Sequence, residues 1–520
     1  MSTAKFVAKS AAAGANLPVA VIDCGTSSVR ASIAEVGGDP PRVLEDIHFP
    51  IDLSACFRDE KLDRAAMDGV VEAFAGIVAA ATAYGVGRLR AVATTALREA
   101  SNSDVLVERL HSKLGIELEI IDSSEEARLY FEALRALAKR DKRKLPGVTA
   151  LIDVGGGSTC LSLIRAGKLA HSVDEHFGTL RLSSEFRDLK DSIDYAITID
   201  RSSHGTVRMM LGRLPEAKVD TLVVNGPDIR RLLALLAPEA KGLIEPLPVA
   251  AVEAFFQRMQ GLTPRARAEA CGCDVHQASL LLPAASFIRH LCGELGRDKV
   301  LVPQLTLRDG LIADMVPGAH GPHHLDHDTL LAEAWQLVAK YGGNLEYAGN
   351  TASLAVQIFD QSRELHGLGA RDRGLLEFSA LIHDIGSFIN VRNRHKHTQY
   401  IINSADIPGL TREEKEMVGH IARYHRRSPP QSHHIAFRAL SRHARVVVSH
   451  LAAILRLAYG LDVERTQRIR RVRCEVARGK LLLHVDRRQI ALERWSIAGK
   501  AQMFQEVFGL EVVVVPREEV

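Results

Sequence analysis

Two short segments of the 520-residue chain join an acid to a turn of glycines and hydroxyl residues. Asp23-Cys-Gly25-Thr26-Ser27-Ser28 ends the apolar stretch that starts at Leu17, and Asp153-Val-Gly155-Gly156-Gly157-Ser158-Thr159 ends the one that starts at Thr149. Glycine lets backbone N–H groups approach an anion closely, and N–H and hydroxyl groups donate to phosphate oxygens. Each segment therefore suits a phosphate clasp. No Lys precedes Ser158, which separates the second from a Walker loop. One such turn is equally well explained as a purely structural turn. Two of the same pattern in one chain point to a shared task.

The elements that must position these turns repeat as well. Each turn runs on into another strand-like stretch, Val29 to Val36 and Cys160 to Ala166, so each forms the tip of a β-hairpin. Around them strands alternate with amphipathic helices. Helices are expected over Asp63–Tyr84, Ser103–Leu114, Ser124–Ala138 with Ser124 as cap, Ile229–Leu236 and Gln277–Leu295. Strands are expected over Leu89–Thr94, Glu117–Ile121 and Thr221–Asn225. This alternation predicts an α/β architecture up to about residue 315, built as two related halves that face each other across a cleft.

Beyond a Pro/Gly/His stretch the pattern changes to nearly continuous helix, Asp328 to about Gly460, then to short strands and one helix from Arg468 to Val515. The expected organisation is a tail over 1–17, α/β domains over 18–138 and 139–316, a linker over 317–328, a helical domain over 329–464 and a small α/β module over 465–520.

Composition sets outer limits. Hydrophobic residues make up 46% and charged residues 25%, which excludes a disordered chain. With 66 Lys+Arg against 63 Asp+Glu the net charge is +3, which argues against duplex nucleic acid or a membrane surface as the main partner. No uninterrupted apolar run reaches the roughly 18 residues of a membrane span. The Ala/Ser/Lys-rich start lacks the pattern of a signal peptide, so a cytoplasmic location is expected. The cysteines at 24, 56, 160, 271, 273, 292 and 474 fit neither a redox pair nor a zinc knuckle and are expected reduced and mostly buried.

Three further segments narrow the chemistry: Ala93-Thr-Thr-Ala-Leu-Arg98-Glu-Ala-Ser-Asn102, Ile120-Ile-Asp-Ser-Ser-Glu125-Glu126-Ala-Arg128 and Leu307-Arg-Asp-Gly-Leu311. The two acid-tipped hairpins resemble those of the actin-like superfamily. With the three segments, in this order, residues Val19 to Met315 resemble the exopolyphosphatase / guanosine pentaphosphate phosphohydrolase family. The resemblance implies two actin-like (ribonuclease H-like) domains and Mg²⁺-dependent hydrolysis of a terminal phosphoanhydride by water. The substrate it implies is inorganic polyphosphate, with release of orthophosphate; the alternative is guanosine pentaphosphate (pppGpp). It also implies a homodimer. Carried onto this chain, Glu126 matches the general base and Arg98 the phosphate-binding arginine. Asp23 and Asp153 would hold Mg²⁺ directly or through water. Gly25, Thr26, Ser27, Ser28, Gly155, Gly156, Gly157, Ser158 and Thr159 would form the clasp. Glu125, about 100° round the helix from Glu126, is expected to cap the helix or face solvent.

The chain departs from the family pattern in three places. Cys160 stands where the family has Glu, and a thiol is a poor ligand for hard Mg²⁺. Ser27 replaces the usual Asn. The late strand ends in Asn225-Gly-Pro227-Asp228, where Pro227 removes an amide and Asp228 adds negative charge near a phosphate. These departures keep a rival from another class in view, a catalytically reduced protein that binds polyphosphate or (p)ppGpp.

The helical region resembles the HD-type domain of long family members, carrying His383-Asp384, while Tyr347 and Tyr459 stand where metal-bearing HD domains have ligands, so no metal is expected there. From Val391 to Pro430 there are eight Lys/Arg against four Asp/Glu. Arg394, His395, His397, His425, Arg426 and Arg427 are therefore candidates for a channel that retains a long polyanion, with Arg465, Arg468, Arg470, Arg471 and Arg473 as a second cluster.

Overall fold

The computed structural model describes residues 17–516 apart from 191, 193, 215–217, 317–326, 406, 408, 432 and 487–489. The expected tail, Leu17 excepted, and the expected linker up to residue 326 lie outside the described residues. The chain divides into two compact units after His324.

In the first unit, β1 (Val19–Cys24), β2 (Ser28–Glu35), β3 (Arg42–Pro50), β4 (Arg88–Ala93) and β5 (Leu118–Ile120) form a sheet in the order β3-β2-β1-β4-β5. The strands β1, β2 and β3 are antiparallel, while β4 and β5 run parallel to β1. The plan then recurs in β6 (Val148–Val154), β7 (Thr159–Arg165), β8 (Lys168–Glu175), β9 (Thr221–Asn225), β10 (Ile244–Pro248) and β11 (Lys299–Pro303), ordered β10-β11-β9-β6-β7-β8. Again an antiparallel meander, β6-β7-β8, is joined by parallel strands, β9 and β11. Even the irregularities correspond, with a bulge at Ile33/Ala34 in the first meander and at Leu163/Ile164 in the second. The strands read as apolar runs because helices cover both faces of each sheet, leaving β1 and β6 almost wholly buried. Two matched sheets thus present two matched hairpin tips.

The helix Ser123–Arg140 carries the Glu-Glu-Ala-Arg segment, and here two expectations are corrected. Its cap is Asp122, not Ser124: Asp122 is extended and its carboxylate accepts from the Glu125 amide at 2.9 Å. Ser124 already lies within the helix and its hydroxyl donates to Asp122 at 2.7 Å. Glu125 neither caps nor faces solvent; it is 3% exposed. Arg128 Nε donates to it at 2.7 Å and Arg90 Nη2 at 3.1 Å, and both arginines also bind Asp314. Asp314 belongs to the helix Leu307–Met315, which crosses Ser123–Arg140 at Gly310. A Cβ there would lie 2.3 Å from the Leu129 carbonyl, so only glycine permits this approach.

The second unit runs in helices from His327 to Leu461 and ends in β12 (Val472–Ala477), β13 (Lys480–Val485) and β14 (Glu511–Pro516), ordered β12-β13-β14. Two helices, Ala491–Ala498 and Gln502–Phe508, stand where one was expected. One apolar core extends from Leu330 to Val514, so the small sheet shares its interior with the helices. The helices Arg64–Ala83 and Arg442–Leu461 match a membrane span in length and mean hydropathy, and 78% of the second's apolar window is buried within the fold.

Deleting one partner of a buried ion network leaves the other charges uncompensated, at a cost of about 3–5 kcal/mol. Asp314→Ala is therefore expected to lower the denaturant midpoint of the first unit sharply, and an unchanged midpoint would remove the network from the account.

Candidate active site

The strand register lines up side chains across each sheet. In the first, Asp23 on β1 faces Arg30 on β2, which faces His48 on β3. In the second, Asn225 on β9, Asp153 on β6, Cys160 on β7 and Asp174 on β8 form one row. Residues directly opposite across paired strands share a face, so each row presents its polar groups together. Asn225 Nδ2 donates to Asp153 Oδ1 at 2.5 Å, and Arg230 Nη1 fixes Asn225 by donating to its Oδ1 at 2.7 Å.

At the tips, the Gly25 amide donates to the Ser28 carbonyl at 3.0 Å and the Gly155 amide to the Ser158 carbonyl at 2.9 Å. These two amides close their own turns, which leaves those of Thr26, Ser27, Gly156 and Gly157 as the clasp's candidate donors. The Thr159 hydroxyl, expected in the clasp, is also engaged, donating to the Phe177 carbonyl at 2.8 Å. The Ser158 and Thr95 hydroxyls lie 2.6 Å apart and link the two halves. Gly178 packs against the clasp so closely that a Cβ there would lie 2.2 Å from the Gly156 carbonyl oxygen. Arg181 braces the same loop: its Nε donates to the Gly157 carbonyl at 2.7 Å and its Nη2 to Glu99 at 2.6 Å, with His176 on Glu99 at 3.0 Å.

The expected base and the expected phosphate-binding arginine are brought together. Arg98 Nη1 donates to Glu126 Oε2 at 3.3 Å and to the Ile121 carbonyl at 3.0 Å, and its Nη2 donates to Thr95 Oγ1 at 3.3 Å. Burial pushes the Glu126 carboxyl up to about 8; Arg98 opposes this, while Asp153 and Asp174 add to it. Burial also works against the Arg98 charge, but Glu126 and then Asp174 outweigh it and raise its pKa. Asp153 is raised to about 6 by burial, with Asn225 and Arg230 opposing and Asp23 adding. Asp23 is raised by burial against Arg308 and Arg30.

Among the described residues, no three His, Cys, Asp or Glu side chains stand ready-arranged around one metal position. Mg²⁺ does not require that, since it keeps several waters and binds through one or two carboxylates plus substrate phosphates. Asp23 and Asp153 supply hard oxygen donors, and burial holds both above the usual carboxylate range because the nearby arginines offset it only in part, a shortage of compensating charge. A divalent cation fits that shortage.

Next to the clasp lies a cavity of about 470 Å³ whose lining includes Ser27, Arg30, His48, Gly156, Asp228 and Arg231. Asp228, expected to bring bare negative charge, is 3% exposed and does not. It accepts from Thr179 Oγ1 at 2.6 Å and pairs with Arg231 at 2.8 Å. Pro227 occupies the first turn of the helix Pro227–Leu236, where its missing N–H costs nothing. Asp174, Asn225, Arg230, Arg181 and Arg308 belong to the site and were not expected from the sequence.

In the second unit, only part of the expected polyanion-binding set offers charge to solvent. Arg394 is buried and pairs with Asp384 at 2.6 Å. His425 is fully buried, which drives its pKa well down, and burial with the neighbouring Arg427 takes His395 down to about 4. Buried imidazoles at neutral pH carry no charge and the Arg394 guanidinium is already paired with Asp384, so none of these three expected channel residues offers a free charge to solvent. His397 and Arg426 are half-buried and Arg427 is exposed. His383, also buried, lies 3.2 Å from the Tyr347 hydroxyl through Nε2.

A model of the Ppx/GppA phosphatase family matches residues 55–319, and the model of Ppx/GppA phosphatase domain III matches residues 332–497. The chain belongs to the Ppx/GppA phosphatase family. An Aliivibrio fischeri guanosine-5'-triphosphate,3'-diphosphate pyrophosphatase is 24% identical over 71% of this chain and 72% of its own length. Among solved structures, the Aquifex aeolicus member of the Ppx/GppA family superposes with a TM-score of 0.51 at 20% identity, covering 59% of this chain and 99% of its own. An exopolyphosphatase-like protein gives 0.51 at 21% identity, covering 58% and 98%. The first unit accordingly has the actin-like fold, and the Ppx/GppA membership makes the chain a phosphatase of the hydrolase class.

A carboxyl that holds its proton more tightly when folded makes the folded state less stable as pH rises between the two pKa values. For Glu126 that window runs from about 4.5 to about 8. In metal-free buffer, Glu126→Gln should therefore gain on the order of 2–4 kcal/mol relative to wild type between pH 5 and 8.5. Parallel stability–pH curves for the two proteins would show that Glu126 titrates normally.

Proposed function

We propose that this protein is a Mg²⁺-dependent exopolyphosphatase, hydrolysing the terminal phosphoanhydride of inorganic polyphosphate and releasing orthophosphate. The observation that carries the reading is the Arg98–Glu126 pair, a largely buried base in hydrogen-bond contact with a guanidinium that reaches Thr95 and, through it, Ser158 of the second hairpin tip. Phosphoryl transfer needs positioning and charge neutralisation more than covalent chemistry, and this cleft supplies both.

In the proposed reaction, the amides of Thr26, Ser27, Gly156 and Gly157 hold the terminal phosphates. Arg98 turns from Glu126 toward a phosphate oxygen, and Glu126, released, accepts a proton from water. The water oxygen bonds to the terminal phosphorus as the bond to the bridging oxygen breaks, and the shortened chain leaves with the negative charge. A base poised near neutrality suits this transfer. Mg²⁺ held by Asp23 and Asp153 would neutralise charge on the phosphate oxygens.

Hydrolysis of pppGpp is the second reading. It is favoured by the name of the Aliivibrio relative, a guanosine-5'-triphosphate,3'-diphosphate pyrophosphatase. It is also favoured by the cavity beside the clasp, which has room for more than a phosphate chain. We read the helical unit as an HD-type domain without metal. This is supported by the pairing of Asp384 with two guanidinium groups, Arg394 at 2.6 Å and Arg465 at 2.8 Å, which already neutralise the carboxylate a metal would need.

Phosphate release from long-chain polyphosphate beside pppGpp, at equal concentration with Mg²⁺, decides between the two substrates. Faster release from polyphosphate is expected; release from pppGpp alone would overturn that preference, and release from neither would favour a binding protein. Exposed charges such as Arg427 and Lys396 should retain a long polyanion. KM for long chains is therefore expected to rise steeply with salt while that for tripolyphosphate changes little, and equal salt slopes would exclude such a surface.

A further inference from the structure

The resemblance read from the sequence places a carboxylate where Cys160 stands, and its loss would leave the metal and water side of the cleft short of one acid. We propose that Asp174, on the neighbouring strand, takes over this role and acts on the bound cation through its water shell. The proposal rests on the reading of Asp23 and Asp153 as the metal-binding pair.

Cys160 on β7 stands directly opposite Asp153 on β6 and directly opposite Asp174 on β8. The three side chains therefore lie in one row on one face, with neighbouring Cβ atoms about 4.5–5.5 Å apart. That alignment depends on the bulge at Leu163/Ile164, since the hairpin otherwise starts from Arg165 opposite Lys168. Without the extra residue Cys160 would face Val173, and Asp174 would turn to the other side of the sheet.

Asp174 is also within electrostatic reach of the reacting groups. Its charge helps raise Glu126 and helps hold Arg98 charged, the same two residues that form the base and its guanidinium partner. Cys160 itself is 6% exposed, and burial, with Asp174 next, pushes its thiol well up, so it is a neutral and soft group. It can fill space in the row but cannot supply hard-metal chemistry. A Glu at 160 and an Asp at 174 are thus two ways of delivering one carboxylate to the same face of the sheet from adjacent strands.

The test is Mn²⁺ binding to the substrate-free full chain, read by electron paramagnetic resonance of the free ion. Four proteins are compared: wild type, Asp174→Asn, Cys160→Glu and the double variant. Asp174→Asn should weaken Mn²⁺ by about tenfold or more. The double variant should recover to within about threefold of wild type, because the carboxylate returns from the adjacent strand. Unchanged affinity in Asp174→Asn would overturn the proposal. So would absence of recovery in a double variant whose circular dichroism and melting match wild type, or a wild type that binds no Mn²⁺. Phosphate release is measured in parallel to separate the two claims. Asp174-dependent Mn²⁺ binding without turnover would leave the site standing and sink the phosphatase reading. Turnover with Mn²⁺ binding indifferent to Asp174 would do the reverse.

Discussion

Everything in the first unit is arranged around carboxylates that repel one another and are kept from water. Asp153 feels Asp23, and Glu126 feels Asp153 and Asp174. Each of these groups would ionise freely on a surface; held together in a cleft they form a site short of positive charge. Arg98 meets part of that shortage, Arg308 and Arg30 another part at Asp23. What remains is a cleft whose buried carboxylates are only partly compensated.

Holding such a cluster requires a rigid frame, and the molecule builds it twice. Each half uses a three-stranded meander with a bulge at the corresponding place, so each projects an acid beside a glycine-rich tip. The halves are tied by the Ser158–Thr95 hydroxyl pair and by Arg181 and His176 on Glu99. Behind the base, Glu125 is locked by Arg90 and Arg128, which Asp314 holds in turn, and this fixes the helix that aims Glu126. Adjacent acids on one helix turn thus have separate tasks, one structural and one chemical.

Much of this was legible in the sequence. Asp23 and Asp153, the hairpin tips and the helix Ser103–Leu114 follow from local patterns that a short window contains. Glu126 and Arg98 came from motif resemblance, and no local rule would have paired them across 28 positions. What stayed hidden depends on long-range register. The strand holding Asp174 begins after a tight turn in which Ala166 and Gly167 both have positive φ, a recognisable hairpin signal. Yet the bulge two residues earlier decides which face Asp174 takes, and nothing in the composition announces it. Glu125 was misplaced for a similar reason: its partner Arg90, and the Asp314 that shares Arg90 and Arg128 with it, come from distant segments. The charges expected in the helical unit were legible as a count but not as a surface, because burial removes Arg394, His395 and His425 from solvent.

The proposed base is Glu126, activating water at a clasp built from both halves. It is tested most directly by kcat for orthophosphate release in Glu126→Gln, with polyphosphate affinity measured alongside. A fall in kcat of about 10²–10⁴-fold is expected, with affinity nearly unchanged. A variant that retains wild-type kcat would contradict it.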